Sequence, residues 1–397
     1  MMGRRATAQG IVRVTVAVTV AATACRPEAS TPGPELGDPL PGLTDRERGR
    51  FLLGRALFER VTTPEEGLGP LYNEVRCSGC HESPVAGGGS AEVQVLKATR
   101  FIDGECDLLA TAGGDNIQRR ATELLANHGL GPEEIPPGAT DSALIDAPPL
   151  FGLGLVEAIP DSVLEGLADP EDRDGDGVSG RLPRSPEGRP ARFGRKGDAV
   201  DIAGFIDTAL RFELGLTTPE HPVEEARNGV PIPREADPAP EPEIDARGVA
   251  LLTDYVRFLA PPAPERPARG ASADSVADGA DLFRAIGCAR CHVPELRTGD
   301  STTAALRDRP VRLYSDLQVH DLGLTADVCG RDVAPGEYRT APLWGLRHRR
   351  RYLHDGRATD LLSAIARHGG EARGARDRLL RASPEARAAL LRFLSSL

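Results

Sequence analysis

Apolar residues recur at helical spacing in the segment TDRERGRFLLGRALFERV, which begins at Thr44. Thr44 is a typical N-cap residue, so the pattern predicts an amphipathic helix that starts there. The apolar positions fall on one face: Phe51, Leu52, Leu57 and Phe58. A shorter segment of the same kind, ADGADLFRAIG, places Leu282, Phe283 and Ile286 on one face.

These two helices open a pattern that occurs twice. Residues 146–160 and 340–356 share an A-P-x-L/W-G-L core, and apolar helices are expected at 246–262 and 386–397. The same order in both halves indicates a duplicated unit. We therefore expect domains at 43–262 and 276–397, joined by a Pro-rich linker at 263–275. Strand signals are scarce, so the predicted class is mainly α with long loops.

The N-terminus is typical of an exported precursor. Residues 1–24 combine MMGRR with a short apolar run and small residues before Cys25, as in a lipoprotein signal peptide. Cys25 is then the lipidated mature N-terminus, and Pro-rich residues 25–42 form a flexible tether. A plain cleaved signal peptide with an incidental Cys25 is the alternative. Both place the protein in the periplasm or outer cell envelope.

Charge and composition narrow the partners. The net charge is −11 without a basic run, which argues against nucleic acid and favours small substrates or a basic redox partner. Aromatic residues make up 4% of the chain, little for two cores of this size. Covalently bound macrocycles would supply apolar surface that the side chains lack.

The chemistry centres on a C-x-x-C-H pattern that occurs twice in a chain with 7 Cys and 8 His. In this pattern two thiols bond one haem, and the adjacent His binds its iron. The alternatives are a zinc site, a thioredoxin-like pair and structural disulfides. A zinc site lacks its further ligands here, and a thioredoxin-like pair lacks its βαβ setting. The sequence therefore predicts two covalent haems c, held by Cys77, Cys80, His81 and by Cys288, Cys291, His292.

Two cysteines remain, Cys106 and Cys329. In an oxidising compartment leftover thiols pair more often than they stay free, so we predict a disulfide between the halves. Two buried free thiols are the alternative.

Several longer motifs then carry a family resemblance: LYNEVRCSGCH, DGDGVSGR, ELGLTTPEHP, YVRFLAPP, YSDLQVHDLG, YRTAPLWGL and YLHDGR. Over residues 43–397 the chain resembles the bacterial di-haem oxidoreductases, relatives of di-haem cytochrome c peroxidases. The resemblance implies two cytochrome c-like domains. One haem would relay electrons from a small cytochrome c or cupredoxin, and the other would react with peroxide or another small oxidant.

Neither haem can have a methionine as its sixth iron ligand, because Met1 and Met2 are the only methionines and both lie in the signal segment. By position in the family's YLHDGR helix, the resemblance implies His368 as sixth ligand of haem 2; a surface His before a Gly-Gly helix stop is the alternative. If His368 is not the ligand, His320 and His354 are the next candidates. The loop after His81 has no His, so haem 1 is expected to keep an open position for peroxide.

Glu157 is the candidate distal acid/base at haem 1 if its loop reaches that face; a solvated loop carboxylate is the alternative. DRDGDGVSG places Asp172, Asp174 and Asp176 at the first, third and fifth positions of a calcium loop. A solvated acidic turn is the alternative there. The leading function is a peroxidase-like di-haem oxidoreductase, and the alternative is a di-haem electron carrier without substrate turnover.

Overall fold

The computed structural model describes Met2 and residues 33–92, 94–265, 270–324 and 327–397. Residues 34–397 form one compact unit. The predicted signal peptide, apart from Met2, and the lipidation candidate Cys25 lie outside the described residues. None of the described helices is long and apolar enough to cross a membrane.

Helices and short strands alternate along the described residues. The α-helices are α1 Asp45–Glu59, α2 Cys77–Cys80, α3 Glu123–Asn127, α4 Leu153–Glu157, α5 Asp161–Leu167, α6 Ile202–Glu213, α7 Ala246–Phe258, α8 Ala271–Ala285, α9 Leu361–Ala366, α10 Arg373–Arg381 and α11 Pro384–Ser396. The strands are β1 Leu71–Tyr72, β2 Gln94–Ile102, β3 Glu105–Asp107, β4 Asn116–Ile117, β5 Arg120–Ala121, β6 Asp141–Asp146, β7 Leu296–Arg297, β8 Pro310–Val311, β9 Val319–Asp321 and β10 Glu337–Arg339.

All described strand pairs are antiparallel, and the largest sheet forms around β2. This strand pairs with β3, β4 and β6, and Leu96 faces Leu144 in the β2–β6 register. Three further sheets have two strands each: β1–β5, β7–β8 and β9–β10.

The prediction of a mainly α fold built from cytochrome c-like domains is wrong. Helices take up 34% of the residues that the structure describes and strands 14%, with the strands in small sheets. Eight of the ten described strands have two or three residues and another, β6, alternates only weakly, so a period-2 apolar pattern had little length in which to appear. Their pairing also depends on partners far away in sequence, such as β2 with β6.

The helices that frame each Cys motif were predicted correctly. Helix α1 begins after Thr44, whose hydroxyl accepts from the Glu47 amide while the Glu47 carboxylate accepts from the Thr44 amide, a capping box. Phe51 and Phe58 are buried as expected, but Leu52 is 56% exposed. Leu52 follows Phe51 directly, so only one of these neighbours can face the core fully.

Two helix crossings with a common feature support the predicted duplication. Helix α1 packs on α7, and α8 packs on α11. A Cβ at Gly54 would collide with the Leu251 carbonyl, and a Cβ at Gly279 with the Ala389 carbonyl. Both glycines stand four residues before a buried phenylalanine. Glycine thus allows close backbone contact at the same place in each half.

The repeated A-P loops meet each other. Gly152 of the first loop has φ +74°, and a Cβ there would lie 2.8 Å from the ring of Trp344 in the second loop. Trp344 is half-buried and packs against the larger apolar core. The two halves therefore contact each other through their equivalent loops.

The apolar side chains form two main clusters. The larger one includes Phe51, Phe58 and Tyr255 and extends to Leu317, which follows the second Cys motif. The smaller one lies around Phe283 and Phe393. The assignment of residues to two domains at 43–262 and 276–397 stays a prediction.

Ordered structure extends into both the predicted tether and the predicted linker. Leu40 is 4% exposed, and its amide donates to the Phe258 carbonyl at 2.7 Å. Ordered structure thus begins before Leu43, because an apolar residue within the Pro-rich segment reaches the core. Likewise α8 begins at Ala271, inside the predicted linker 263–275.

Candidate functional site

The first Cys motif forms the single helical turn α2. Cys77 and Cys80 are both free thiols, half-buried and buried respectively. His81 caps this turn, and its Nδ1 lies 3.2 Å from the Gly88 carbonyl oxygen. Burial lowers the pKa of His81 to about 4. The ring is therefore neutral at pH 7, and donation from Nδ1 leaves Nε2 as the atom available to a metal.

The second motif repeats this arrangement after α8. Cys288 begins a 3₁₀ turn that ends at Arg290, and Cys288 and Cys291 are free thiols. The Nδ1 of His292 lies 2.9 Å from the Tyr314 carbonyl oxygen. Burial lowers the pKa of His292 to about 4, so this ring is also neutral with Nε2 available.

A cavity of about 590 Å³ brings the second motif together with the predicted sixth ligand. Cys288, Cys291, His292 and His368 all line it, and its size falls within the roughly 300–1,000 Å³ of ligand pockets. The Nδ1 of His368 lies 2.9 Å from the Ala364 carbonyl oxygen. Burial lowers the pKa of His368 below its ordinary value. Its Nε2 is thus available to a metal in the same way as that of His292.

The donor set of this cavity fits a covalent haem. Two thiols and one adjacent imidazole lie on the cavity wall, and a further neutral imidazole lies on the same wall. At the first motif the two thiols and His81 make an equivalent donor set, while the cavity described beside its following loop is only about 20 Å³. The chemistry of the donors therefore supports both haem positions, and the cavity supports the second in addition.

His320 lines the same cavity but is held by carboxylates. Its Nε2 lies 2.8 Å from Asp316, and its Nδ1 lies 2.9 Å from Glu371. Burial alone would lower the pKa of His320, but hydrogen bonds to Asp316, Cys291 and Glu371 outweigh it and raise the pKa to about 12. A charged imidazole with both nitrogens engaged is a poor iron ligand.

His354 is anchored in a different way. Its Nε2 lies 2.7 Å from Asp327, and its ring stacks on Tyr338 at 4.1 Å between centroids. The hydrogen bond from His354 outweighs burial and holds the pKa of Asp327 below its ordinary value. Of the three candidates for the sixth ligand of haem 2, His368 is therefore the one whose ring is held by a backbone carbonyl rather than by a carboxylate.

Glu157, the proposed distal acid/base, ends α4 and is bound on both oxygens. Arg257 of α7 donates to it at 2.6 Å and 3.3 Å, and the Ile202 amide at the start of α6 donates at 2.9 Å. These contacts tie three helices together. The structure thus shows Glu157 in a positioning role, and its catalytic role stays a prediction.

The acidic loop brings its three carboxylates together. Asp172, Asp174 and Asp176 each place an oxygen within 4.8 Å of the others. Asp172 accepts from the Gly177 amide at 3.1 Å, and Asp176 lies 3.1 Å from Arg290 of the second Cys motif. Both Asp176 and Arg290 line the large cavity. The loop therefore contacts the second motif directly, a position that spacing alone did not reveal.

Cys106 and Cys329 form a disulfide in the structure, with Cα atoms 5.9 Å apart. Cys106 lies in β3, and the amide of Cys329 donates to the Thr99 hydroxyl in β2 at 3.0 Å. The bridge thus fixes the loop that begins with Asp327, the partner of His354.

The arginines that line the large cavity were not predicted from the sequence. Eight arginines line it, among them Arg195, Arg339 and Arg349. The statement that the chain has no basic run was wrong, because RHRRR at 347–351 is one; nothing local in the sequence indicates that Arg195 joins it.

Comparison with known proteins agrees with this chemistry. The family model described as "Di-haem oxidoreductase, putative peroxidase" matches residues 142–397, which include the second Cys motif but not the first. No curated protein matches the chain. Among solved structures the chain is similar to the hydrazine synthase of Kuenenia stuttgartiensis, solved under 20 bar xenon. The identity is 13% and the TM-score 0.42, over 98% of this chain and 100% of that one. Because the family match spans more than half of the sequence, the chain belongs to the di-haem oxidoreductase family.

Proposed function

We propose that the protein is a di-haem c-type oxidoreductase of the cell envelope. Cys77, Cys80 and His81 hold haem 1; Cys288, Cys291 and His292 hold haem 2. The observation that carries the proposal is the cavity of about 590 Å³ shared by the second motif and His368. The free thiols of each motif are the groups that covalent attachment requires.

We propose that His368 is the sixth ligand of haem 2. Its anchored Nδ1 and its place on the cavity wall support this role, and no methionine outside the signal segment competes for it. His292 and His368 then complete an iron site of two neutral imidazoles.

The two haems are proposed to have different tasks. Bound haem supplies an iron that exchanges electrons, and also binds peroxide where its sixth position is open. The loop from Glu82 to Val95 offers neither His nor Met beside haem 1, which supports an open position there. A haem held by His292 and His368 would relay electrons from a small cytochrome c or cupredoxin to the haem held by His81, where peroxide or another small oxidant would be reduced.

The envelope location is proposed from two independent features. The leader-like residues 1–24 and Cys25 support export and lipid anchoring. The Cys106–Cys329 disulfide supports an oxidising compartment, since such bonds persist there and are rare in the cytosol.

The test replaces His368 and reads the iron sites directly. His368→Ala should convert one haem from low-spin to high-spin and open it to carbon monoxide, whereas His368→Met should keep it low-spin and raise its potential. His348→Ala is the matched control, because His348 lies on the same half of the chain but does not line the large cavity. Haem spectra and potentials that stay unchanged in His368→Ala would contradict the assignment.

The same preparation separates the enzyme from an electron carrier. A high-spin ferric haem in the wild-type protein that changes on addition of peroxide supports the oxidoreductase. Two low-spin haems that are inert to peroxide and carbon monoxide would instead establish the carrier. A mature mass that exceeds the polypeptide by fewer than two haems would refute both.

We further propose that the acidic loop binds calcium through Asp172, Asp174 and Asp176. Three carboxylates with oxygens within 4.8 Å of one another suit a hard cation. Calorimetric titration with calcium should show one saturable site that Asp174→Asn weakens. Absence of saturable binding in the wild-type protein would contradict this proposal.

A further inference from the structure

The wall of the large cavity is strongly cationic. Eight arginines line it, whereas its acidic lining residues are two, Asp176 and Glu371. Arg290 pairs with Asp176, and Arg357 pairs with Asp355. By contrast, Arg195, Arg339 and Arg349 form no ion pair within 4.0 Å with any residue that the structure describes.

Arg195 and Arg339 contact neutral groups instead. Arg195 donates to the Asp146 carbonyl at 2.8 Å, and its buried Nε has no hydrogen-bond partner among the described residues. Arg339 donates to the Gly194 carbonyl at 2.8 Å. A buried guanidinium is costly unless a carboxylate or phosphate pairs with it, so this wall lacks the anions that would compensate it.

The arginines also repel each other. Burial, together with Arg349 and Arg339, lowers the pKa of Arg195 to about 9. Burial lowers the pKa of Arg349, which also faces Asp146. Asp146 is itself buried, and one of its carboxylate oxygens has no partner among the described residues. Arg195 and Arg349 thus share one nearby carboxylate that neither reaches at ion-pair distance.

We infer that Arg195 and Arg349, supported by Arg339, bind the propionate carboxylates of haem 2. The inference rests on the proposed function, since it requires a haem at the second motif. A haem carries two carboxylates, and a guanidinium fork binds a carboxylate in a bidentate manner. The attached haem therefore brings the anions that this part of the cavity wall needs.

These three arginines also affect the reduction potential of haem 2. Two imidazole ligands give an iron a lower potential than imidazole and thioether. Positive charge retained beside the haem favours the ferrous state, because reduction adds negative charge to the site. The arginines thus raise the potential of haem 2 and offset part of the lowering by the second histidine.

The experiment compares Arg195→Gln and Arg349→Gln with Arg357→Gln by spectroelectrochemical titration of the matured protein. Arg357 lines the same cavity but is paired with Asp355, so it is the matched control. Each of the first two changes should shift the one-electron equilibrium of haem 2 toward ferric by about tenfold, which corresponds to 59 mV. The control should shift it by less than about twofold. Arg349→Lys loses the bidentate fork but keeps the charge, and because the potential responds to charge it should stay near the wild-type potential.

Haem content, measured by pyridine haemochrome, distinguishes failure of haem attachment at the second motif from failure of the proposed role of the arginines. A wild-type protein without haem at the second motif refutes the proposed function. Two haems per chain with an unchanged potential in both glutamine variants refute this inference alone. Should the glutamine variants fail to mature, Arg349→Lys decides, since loss of its wild-type potential would contradict a role that depends on charge.

Added anions test whether the arginines bind a free anion from solution instead of the haem propionates. With propionates on the arginines, nitrite or acetate at millimolar concentration should leave the haem 2 spectrum and potential unchanged. A saturable anion-induced shift that disappears in Arg195→Gln would show an open anion site and overturn the assignment to propionates.

Discussion

Removal of the Cys106–Cys329 disulfide should destabilise the protein by several kcal/mol. The bridge joins residues 223 positions apart. In the chain-entropy description a loop of this length restricts the unfolded chain by about 5 kcal/mol, while measured values for native disulfides are typically about 2–5 kcal/mol. The expected loss for Cys106→Ser/Cys329→Ser is therefore about 2–5 kcal/mol of unfolding free energy.

The assay is guanidinium unfolding of matured protein, followed by far-UV circular dichroism. The double variant should unfold at lower denaturant than the oxidised wild type, and at the same concentration as wild type kept under reductant. Because Asp327 lies two residues before Cys329 and holds His354 at 2.7 Å, the variant should also alter the haem 2 spectrum. Identical midpoints for the double variant and the oxidised wild type would refute this reasoning.

Four further changes test separate parts of the fold by the same unfolding measurement. Gly54→Ala and Gly279→Ala should each cost about 1–3 kcal/mol, because the added Cβ collides with the facing helix backbone; equal midpoints would contradict close packing. Burial and nearby carboxylates raise the pKa of Glu224 to about 9, so folding resists its ionisation and stability falls as pH rises from about 4.5 toward 9. Glu224→Gln should thus raise the midpoint at pH 8 but not at pH 4, while the exposed Glu220→Gln changes neither; stabilisation at both pH values would contradict the sign. Thr44→Ala removes a capping box and should cost about 1 kcal/mol, which an unchanged midpoint would exclude.

How well the sequence predicted the fold depended on how local the determining interactions are. Helix α1 was predicted because Thr44 and the apolar face of one helix are enough to specify it. The sheet around β2 was missed because β2 and β6 are stabilised by each other across about forty residues. Strand pairing is set by tertiary contacts, which a single segment does not display.

The same distinction applies to the candidate site. Cys288, Cys291 and His292 lie within five residues, so their chemistry is visible in the sequence. The arginine cluster takes Arg195 from one half of the chain and Arg349 from the other. Only the fold brings them to one wall, so no window of the sequence could have indicated their shared role.

The two halves share a framework but differ in what surrounds the Cys motif. Both have a glycine-mediated helix crossing, and both anchor the motif histidine through Nδ1 to a backbone carbonyl. The second motif opens onto a cavity of about 590 Å³ that includes a further anchored histidine. An iron held by two anchored imidazoles changes little on reduction, which suits electron relay, whereas an iron with one protein ligand can bind an oxidant. The unequal surroundings of two equivalent motifs thus support the proposal that the two haems have different tasks.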